Sequence, residues 1–261
     1  MNQAERRIWL IKALLDERPD GRSIAVPAGA SDQRDLLRTL MNVRPPEALA
    51  TKTLNVQDAY LQQRLVERGG PTDADTLPYR NRVAVWRGDI TLLKADAIVN
   101  AANSQMLGCF VPGHRCIDNA IHTYAGMQLR LACAGIMDRQ GHEEPTARVK
   151  VTPAFNLPSN RIFHTVGPIV SSHKPGPREE LLLRRCYTSC LEEATRRGLG
   201  TLAFCCISTG VFGYPQEAAA RMAIDTVRHH LDSNDPKLKV IFNVFLASDE
   251  SIYRGFLQTV R

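Results

Sequence analysis

Cys109, His114 and Cys116 lie within eight positions of one another in the stretch NAANSQMLGCFVPGHRCIDNAIH, residues 100–122. Thiolate sulfur and imidazole nitrogen are preferred zinc ligands, and three protein ligands with an open fourth position are the pattern of a catalytic zinc ion. Cys-x4-His-x-Cys supplies those three. His122 is a candidate fourth ligand, which would close the site and make it structural; it shares a helix face with Asp118, four residues earlier. The metal-free alternative makes the two cysteines small buried hydrophobes and His114 a surface loop residue.

Two further loops could do chemistry. Ser208-Thr209-Gly210-Val211-Phe212-Gly213-Tyr214 follows an apolar run and precedes Pro215, the expected first residue of a helix. Gly210 and Gly213 let backbone N–H groups approach an anion closely, and the helix start adds its positive end. That suits a phosphate or pyrophosphate, although a tight turn that binds nothing needs glycine too. Gly88-Asp89-Ile90 follows a short strand-like run. Asp89 there could accept from a base's exocyclic amine or a ribose hydroxyl, or could simply cap a turn.

The elements that must carry these loops alternate in type. Val83-Ala84-Val85-Trp86 reads as a short strand, and Ala97-Ile98-Val99 as a buried strand ending at the polar turn Asn100-Ala101-Ala102-Asn103. After the Cys/His loop one helix is predicted over about residues 117–135. Residues 149–152 and 161–166 read as strands, the second stopped by Gly167-Pro168. A helix over about 178–197, a strand over 202–207, a helix over 215–231 and a strand over 240–246 follow, and Asp249 can cap a final helix. Such alternation argues for a three-layer α/β domain. Its ligands are expected beyond the strand ends, where the loops above lie.

Residues 1–80 have a different character. Ile8, Leu10, Ile11, Leu14 and Leu15 recur at helical spacing, and Pro19-Asp20-Gly21 breaks the pattern. Ser31 or Asp32 can cap a second helix carrying Leu36, Leu37, Leu40 and Met41, ending before Pro45-Pro46. A third spans about 56–67. We read residues 1–80 as a helical extension that acts as a scaffold or partner surface, and 81–261 as the domain.

Composition narrows the class. The 261 residues are 44% hydrophobic, which allows a substantial core, and no apolar run approaches the length of a membrane span. The start, MNQAERRIWLIKALLDER, carries charges throughout and no small-residue cleavage site, so it does not read as a signal peptide. Seven cysteines, an odd and scattered set, argue against a disulfide framework and for a reducing compartment. The expectation is a soluble cytoplasmic monomer. A net charge of +6 suits an anionic substrate but no nucleic-acid partner, since no basic block accompanies it. The remaining cysteine pairs, Cys186/Cys190 and Cys205-Cys206, read as core.

Taken in order, Gly88-Asp89-Ile90-Thr91, Ala97-Ile98-Val99-Asn100-Ala101-Ala102-Asn103, Ile117-Asp118-Asn119-Ala120-Ile121-His122, His164-Thr165-Val166-Gly167-Pro168 and Ile207-Ser208-Thr209-Gly210-Val211-Phe212-Gly213-Tyr214-Pro215 resemble the motifs of a macrodomain, the ADP-ribose-binding module. The resemblance runs from about Arg82 to the C-terminus. Most macrodomains carry a run of glycines after the Asn-Ala-Ala-Asn turn; this chain has Gly108-Cys109-Phe110-Val111-Pro112-Gly113-His114-Arg115-Cys116 instead. With the helical extension, that departure resembles the zinc-dependent branch of microbial protein-ADP-ribose hydrolases. The resemblance implies an α/β/α fold with a mixed central sheet. It implies that Asp89, with the Ile90 backbone, contacts adenine and that Asn103 orients the distal ribose. Residues 208–214 would surround the pyrophosphate and distal ribose, with Phe212 near the sugar. Zn2+ would sit on Cys109, His114 and Cys116, and Asp118 fills the family's acidic position at the helix start. The implied partners are ADP-ribose and mono-ADP-ribosylated protein, the linkage an ester to Asp or Glu. Two alternatives are a non-catalytic ADP-ribose reader with structural zinc and a hydrolase of a small ADP-ribose ester.

Overall fold

The computed structural model describes residues 1–234 and 237–259. Eight helices and eight strands are described: α1 (Gln3–Asp16), α2 (Ala30–Val43), α3 (Thr51–Glu67), β1 (Thr72–Asp73), β2 (Val83–Arg87), β3 (Leu93–Lys94), β4 (Ala97–Ala102), α4 (Ile117–Ala125), α5 (Met127–Gln140), β5 (Val149–Pro153), β6 (Arg161–Val166), α6 (Pro177–Arg196), β7 (Thr201–Phe204), α7 (Gln216–Asn234), β8 (Lys239–Val244) and α8 (Ala247–Thr259). The central sheet has the order β2-β8-β7-β4-β6-β5. All its pairs are parallel except β5 on β6, so the sheet is mixed. β1 and β3 form a separate two-residue parallel ladder.

Burial explains the strand sequences. Ile98, Val99, Leu202, Ala203, Phe204, Val240 and Ile241 are fully covered by helices on the two faces, so the central strands read as apolar runs instead of alternating. The parallel strands all point their carboxyl ends at one sheet edge. The loops after β2, β4, β6, β7 and β8 therefore gather there, the position at which open α/β sheets bind ligands.

α1 opens with a capping box, in which the Asn2 side chain accepts from the Glu5 N–H and the Glu5 carboxylate accepts from the Asn2 N–H. Its Leu10, Ile11, Leu14 and Leu15 pack on Leu37, Leu40 and Met41 of α2 and on Val56, Tyr60 and Leu61 of α3. The extension thus has its own apolar cluster, which Met127 of α5 completes. No described helix is long and apolar enough to cross a membrane.

Several sequence expectations shift. The single helix over 117–135 is two helices, broken at Gly126, whose φ of 99° a side chain would strain. The break is satisfied from outside: Gln57 Oε1 accepts the Met127 N–H at 2.8 Å, and Asn156 Nδ2 donates to the Ala125 carbonyl at 3.0 Å. α2 starts at Ala30 with Gly29 as its cap residue, not at Ser31 or Asp32; Asp32 instead lies in the first turn, where its charge suits the dipole. Pro215 precedes α7, its carbonyl accepting the Ala219 N–H at 2.9 Å. α8 likewise begins two residues before Asp249, which lies within its first turn. β4 runs on through Asn100 to Ala102, so the polar residue Asn100 is a strand residue with no exposure, held by side-chain partners instead of solvent.

Candidate active site at the carboxyl edge of the sheet

The loop after β4 begins with Asn103. Its Oδ1 accepts the N–H groups of Gln105 and Met106, each at 3.1 Å, and its Nδ2 donates to the Gly108 carbonyl at 3.1 Å. Asn103 therefore folds the first turn of the loop. Gly108 then passes with φ 80° so close to the His122 ring that a Cβ would lie 2.7 Å from it. His122 is the surface on which the loop rests.

Beyond Gly108 the loop brings Cys109, His114 and Cys116 together. Their donor atoms all lie within 4.8 Å of one another, with Cys109 Sγ 3.5 Å from His114 Nδ1. The three are half-buried, so the donor set keeps contact with solvent. Cys116 is also the N-cap of α4, its Sγ accepting the Asn119 N–H at 3.3 Å. Burial pushes its thiol up to about 12. Two thiols and an imidazole at this spacing fit a zinc ion. His122 lies elsewhere: it groups with Cys133 and His164, all buried, and so is not gathered with the loop's three donors.

Behind the loop sits a buried polar cluster. Asn100 Nδ2 donates to Asp118 Oδ1 at 2.8 Å and faces His164 Nδ1 at 3.2 Å; His164 Nε2 meets Thr152 Oγ1 at 2.9 Å. Asp118 Oδ2 has only a long 3.5 Å contact with Asn103 Nδ2 among the described residues. Burial raises the Asp118 carboxyl to about 6, against the opposing pull of Asn100 and Arg130. Burial also holds His122 well below its ordinary range and brings His164 down to about 3, so both are neutral rings.

Across the edge, after β7, Ser208 adopts φ 66°, a left-handed conformation that costs a serine about 1–2 kcal/mol. The Tyr214 N–H on the Ser208 carbonyl at 2.9 Å and the Gly213 N–H on the Gly210 carbonyl at 3.0 Å hold the turn closed. Among the described residues, the N–H groups of Thr209, Gly210, Val211 and Phe212 have no protein partner, and Ser208 Oγ is buried without one. Successive free N–H groups ahead of a helix start form a concavity suited to an anion. Val211 is 80% exposed, and the Phe212 carbonyl accepts from Val170 of the neighbouring loop at 2.7 Å. Tyr214 is buried in the main core, so its side chain supports the loop from beneath.

At the third loop, Asp89 Oδ1 accepts from the N–H and hydroxyl of Thr91 at 2.9 and 2.6 Å. Its Oδ2 pairs with Arg68, whose guanidinium carbon also lies over the Tyr124 ring, 3.4 Å from its centroid. The carboxylate remains about a third exposed. Ile90 is buried beside it. Phe245 lies within the apolar run 240–246 and carries no local sign of a site role. It follows β8 directly, next to Val244, whose carbonyl accepts the Gly88 N–H at 3.1 Å, and it is 74% exposed. A bulky aromatic left in solvent beside Asp89 is the one signal that exposes it, and exposure is not legible in an apolar strand-end sequence. Arg68 was equally hidden, since nothing local places the end of α3 against Asp89.

Residues 99–223 match a family model described as Macro domain. The chain is 51% identical to a protein-ADP-ribose hydrolase of Treponema medium, over 98% of this chain and 100% of the relative. It is 45% identical to a protein-ADP-ribose hydrolase of Staphylococcus aureus (strain MRSA252), over 94% of this chain and 92% of the relative. Among solved structures, the Oceanobacillus iheyensis macrodomain with ADP superposes with a TM-score of 0.61 at 39% identity, covering 67% of this chain and 90% of that one. A Trypanosoma brucei macrodomain in complex with ADP-ribose superposes at 0.64 with 30% identity, covering 84% and 94%. With its three-layer fold and its loops gathered at one sheet edge, the chain belongs to the macrodomain family.

Proposed function

We propose that this macrodomain is a zinc-dependent hydrolase that removes mono-ADP-ribose from modified protein side chains, the linkage being an ester to Asp or Glu. That the protein is a hydrolase rests on its full-length relatives, which carry that activity in their names. The observation that carries the finer reading is the convergence of Cys109, His114 and Cys116 within 4.8 Å at the same carboxyl edge of the sheet as Asn103 and Asp118. The three donors would hold zinc, which when bound supplies Lewis acidity at the distal end of the ligand.

The chain's own groups divide the remaining work. The free N–H groups of residues 209–212, with the start of α7, bind the pyrophosphate. Asp89 accepts from the adenine amine with the lone pairs its partners leave, and Phe245 stacks on the base. Asn103 holds the reactive loop at its first turn, which sets where the distal ribose lies. Asp118 Oδ2, the carboxylate oxygen with the weaker protein contact, is the proton acceptor on that side of the cleft.

The deciding experiment is incubation with an auto-ADP-ribosylated protein, with and without a strong zinc chelator. Release of ADP-ribose that the chelator abolishes and added zinc restores is the expected result. Release at full rate from metal-free protein removes zinc from the mechanism. Tight ADP-ribose binding without release makes the protein a reader.

A further inference from the structure

The extension does more than pack beside the domain. Asn119, with no solvent exposure at the start of α4, organises the Cys/His loop: its Nδ2 donates to the carbonyls of Cys109 at 3.4 Å and Val111 at 3.2 Å, and its backbone N–H reaches Cys116 Sγ. What holds Asn119 comes from α2. Arg38 donates to Asn119 Oδ1 through Nη2 at 2.7 Å and Nε at 3.2 Å, and Nη2 also reaches the His114 carbonyl at 3.2 Å. One turn further along α2, Asn42 Oδ1 accepts the Gly113 N–H at 3.3 Å while its Nδ2 donates to Thr123 of α4 at 3.0 Å.

The loop has little of its own to set its shape. Between Cys109 and Cys116 its sole internal backbone hydrogen bond among the described residues is His114 N–H to Val111 carbonyl at 3.2 Å. Two of the three donor residues carry a carbonyl that is tied down by Asn119 or Arg38. Donor spacing is thus set across a packed interface, α2 on α4, by side chains 71 to 81 positions away in sequence. Groups that orient metal ligands without touching the ion commonly change metal affinity by roughly 10–100-fold when removed.

We propose that Arg38 and Asn42 are positioning residues of the metal loop, so that the helical extension is a structural part of the zinc site. The inference rests on the reading of Cys109, His114 and Cys116 as zinc ligands. It is tested on the full-length protein by zinc competition with a chromogenic chelator, alongside thermal melting and ADP-ribose calorimetry. Wild type comes first: if it holds no zinc, the metal reading itself fails, and this inference with it. If it holds zinc, Arg38→Ala and Asn42→Leu should each lose zinc affinity by roughly 10–100-fold and lower kcat more than they raise KM, with ADP-ribose affinity little changed. Leu37→Ala removes a core side chain of α2 without touching the loop, and should lower the melting temperature while keeping wild-type zinc affinity. Should Arg38→Ala not fold, Arg38→Lys, which keeps the charge and loses the forked donor, replaces it and should show the same loss in smaller measure. Wild-type zinc affinity in the folded variants, or losses no larger than those of Leu37→Ala, overturns the proposal.

Discussion

Asn100 Nδ2 donates to Asp118 Oδ1 at 2.8 Å, joining the buried strand β4 to the first turn of α4 behind the Cys/His loop. The same amide faces His164 Nδ1, so one strand residue fixes both a carboxylate and a ring. Removing it leaves a carboxylate in the core with no strong donor. Asn100→Ala is therefore expected to cost about 1–3 kcal/mol of stability in urea unfolding. It should also slow hydrolysis, because Asp118 loses its orientation. Wild-type stability together with a wild-type rate would mean that Asp118 is held by something else.

Asn103 works one shell nearer the surface. Its amide spans the loop from Gln105 to Gly108, so Asn103→Ala releases the turn that precedes Cys109, His114 and Cys116. The expected outcome is a fall in kcat of roughly 10–100-fold, the scale of a misplacement near 1 Å, with KM changed less. Steady-state kinetics on an ADP-ribosylated protein decide this, and an unchanged kcat would remove Asn103 from the reactive end.

How much of this was legible in the sequence follows from what is local. The strand–loop–helix alternation, the Cys-x4-His-x-Cys spacing and the glycine turn after β7 are properties of contiguous residues, and each is found where the sequence pattern expects it. The break at Gly126 was not legible, because its compensation comes from Gln57 and Asn156, far away in sequence. The pairing of Arg68 with Asp89 and the hold of Arg38 on Asn119 were hidden for the same reason. Helical residues with long polar side chains look like solvated surface until the helix they lie against is known. The sequence leaves open whether His122 fills the fourth position of the loop's donor set; in the structure its ring groups with Cys133 and His164 instead, a placement that depends on residues far away in sequence.

The metal reading gives the largest expected effect. Cys109→Ala and His114→Ala should lose bound zinc, measured by elemental analysis of purified protein, and hydrolysis should fall on the order of 10²–10³-fold, the equivalent of the several kcal/mol a Lewis acid contributes. ADP-ribose affinity should fall less, since the groups proposed to hold the base and the pyrophosphate lie on other loops. A metal-free variant with a full rate would sink the zinc mechanism.

Phe245 offers a test of the other end of the cleft. Truncation to alanine removes a stacking face worth about 1–3 kcal/mol per base. Phe245→Ala should therefore weaken ADP-ribose binding in calorimetry and raise KM while leaving kcat alone, and Phe245→Trp should retain affinity. Ribose 5-phosphate, which has no base, should bind both variants as it binds wild type. A loss of kcat instead would place Phe245 in the reactive step and contradict its location beside Asp89.

His164 makes acid stability a readout of the buried cluster. Burial lowers its folded-state value to about 3, whereas in the unfolded chain it titrates near 6.5. Below about 6.5 the unfolded state therefore binds more protons than the folded state, and stability falls as pH falls, by up to about 1.4 kcal/mol per pH unit, until the folded state also protonates. Above 6.5 the contribution is fully present and flat. His164→Gln keeps a donor and an acceptor for Thr152 and Asn100 but cannot titrate. Between pH 6.5 and 5 wild type should lose roughly 1.6 kcal/mol more than this variant in urea unfolding. His122, kept neutral by burial first and by His164 second, is present in both proteins. Parallel pH slopes for the two would show that His164 is already solvated in the folded state, against its complete burial between β4 and β5.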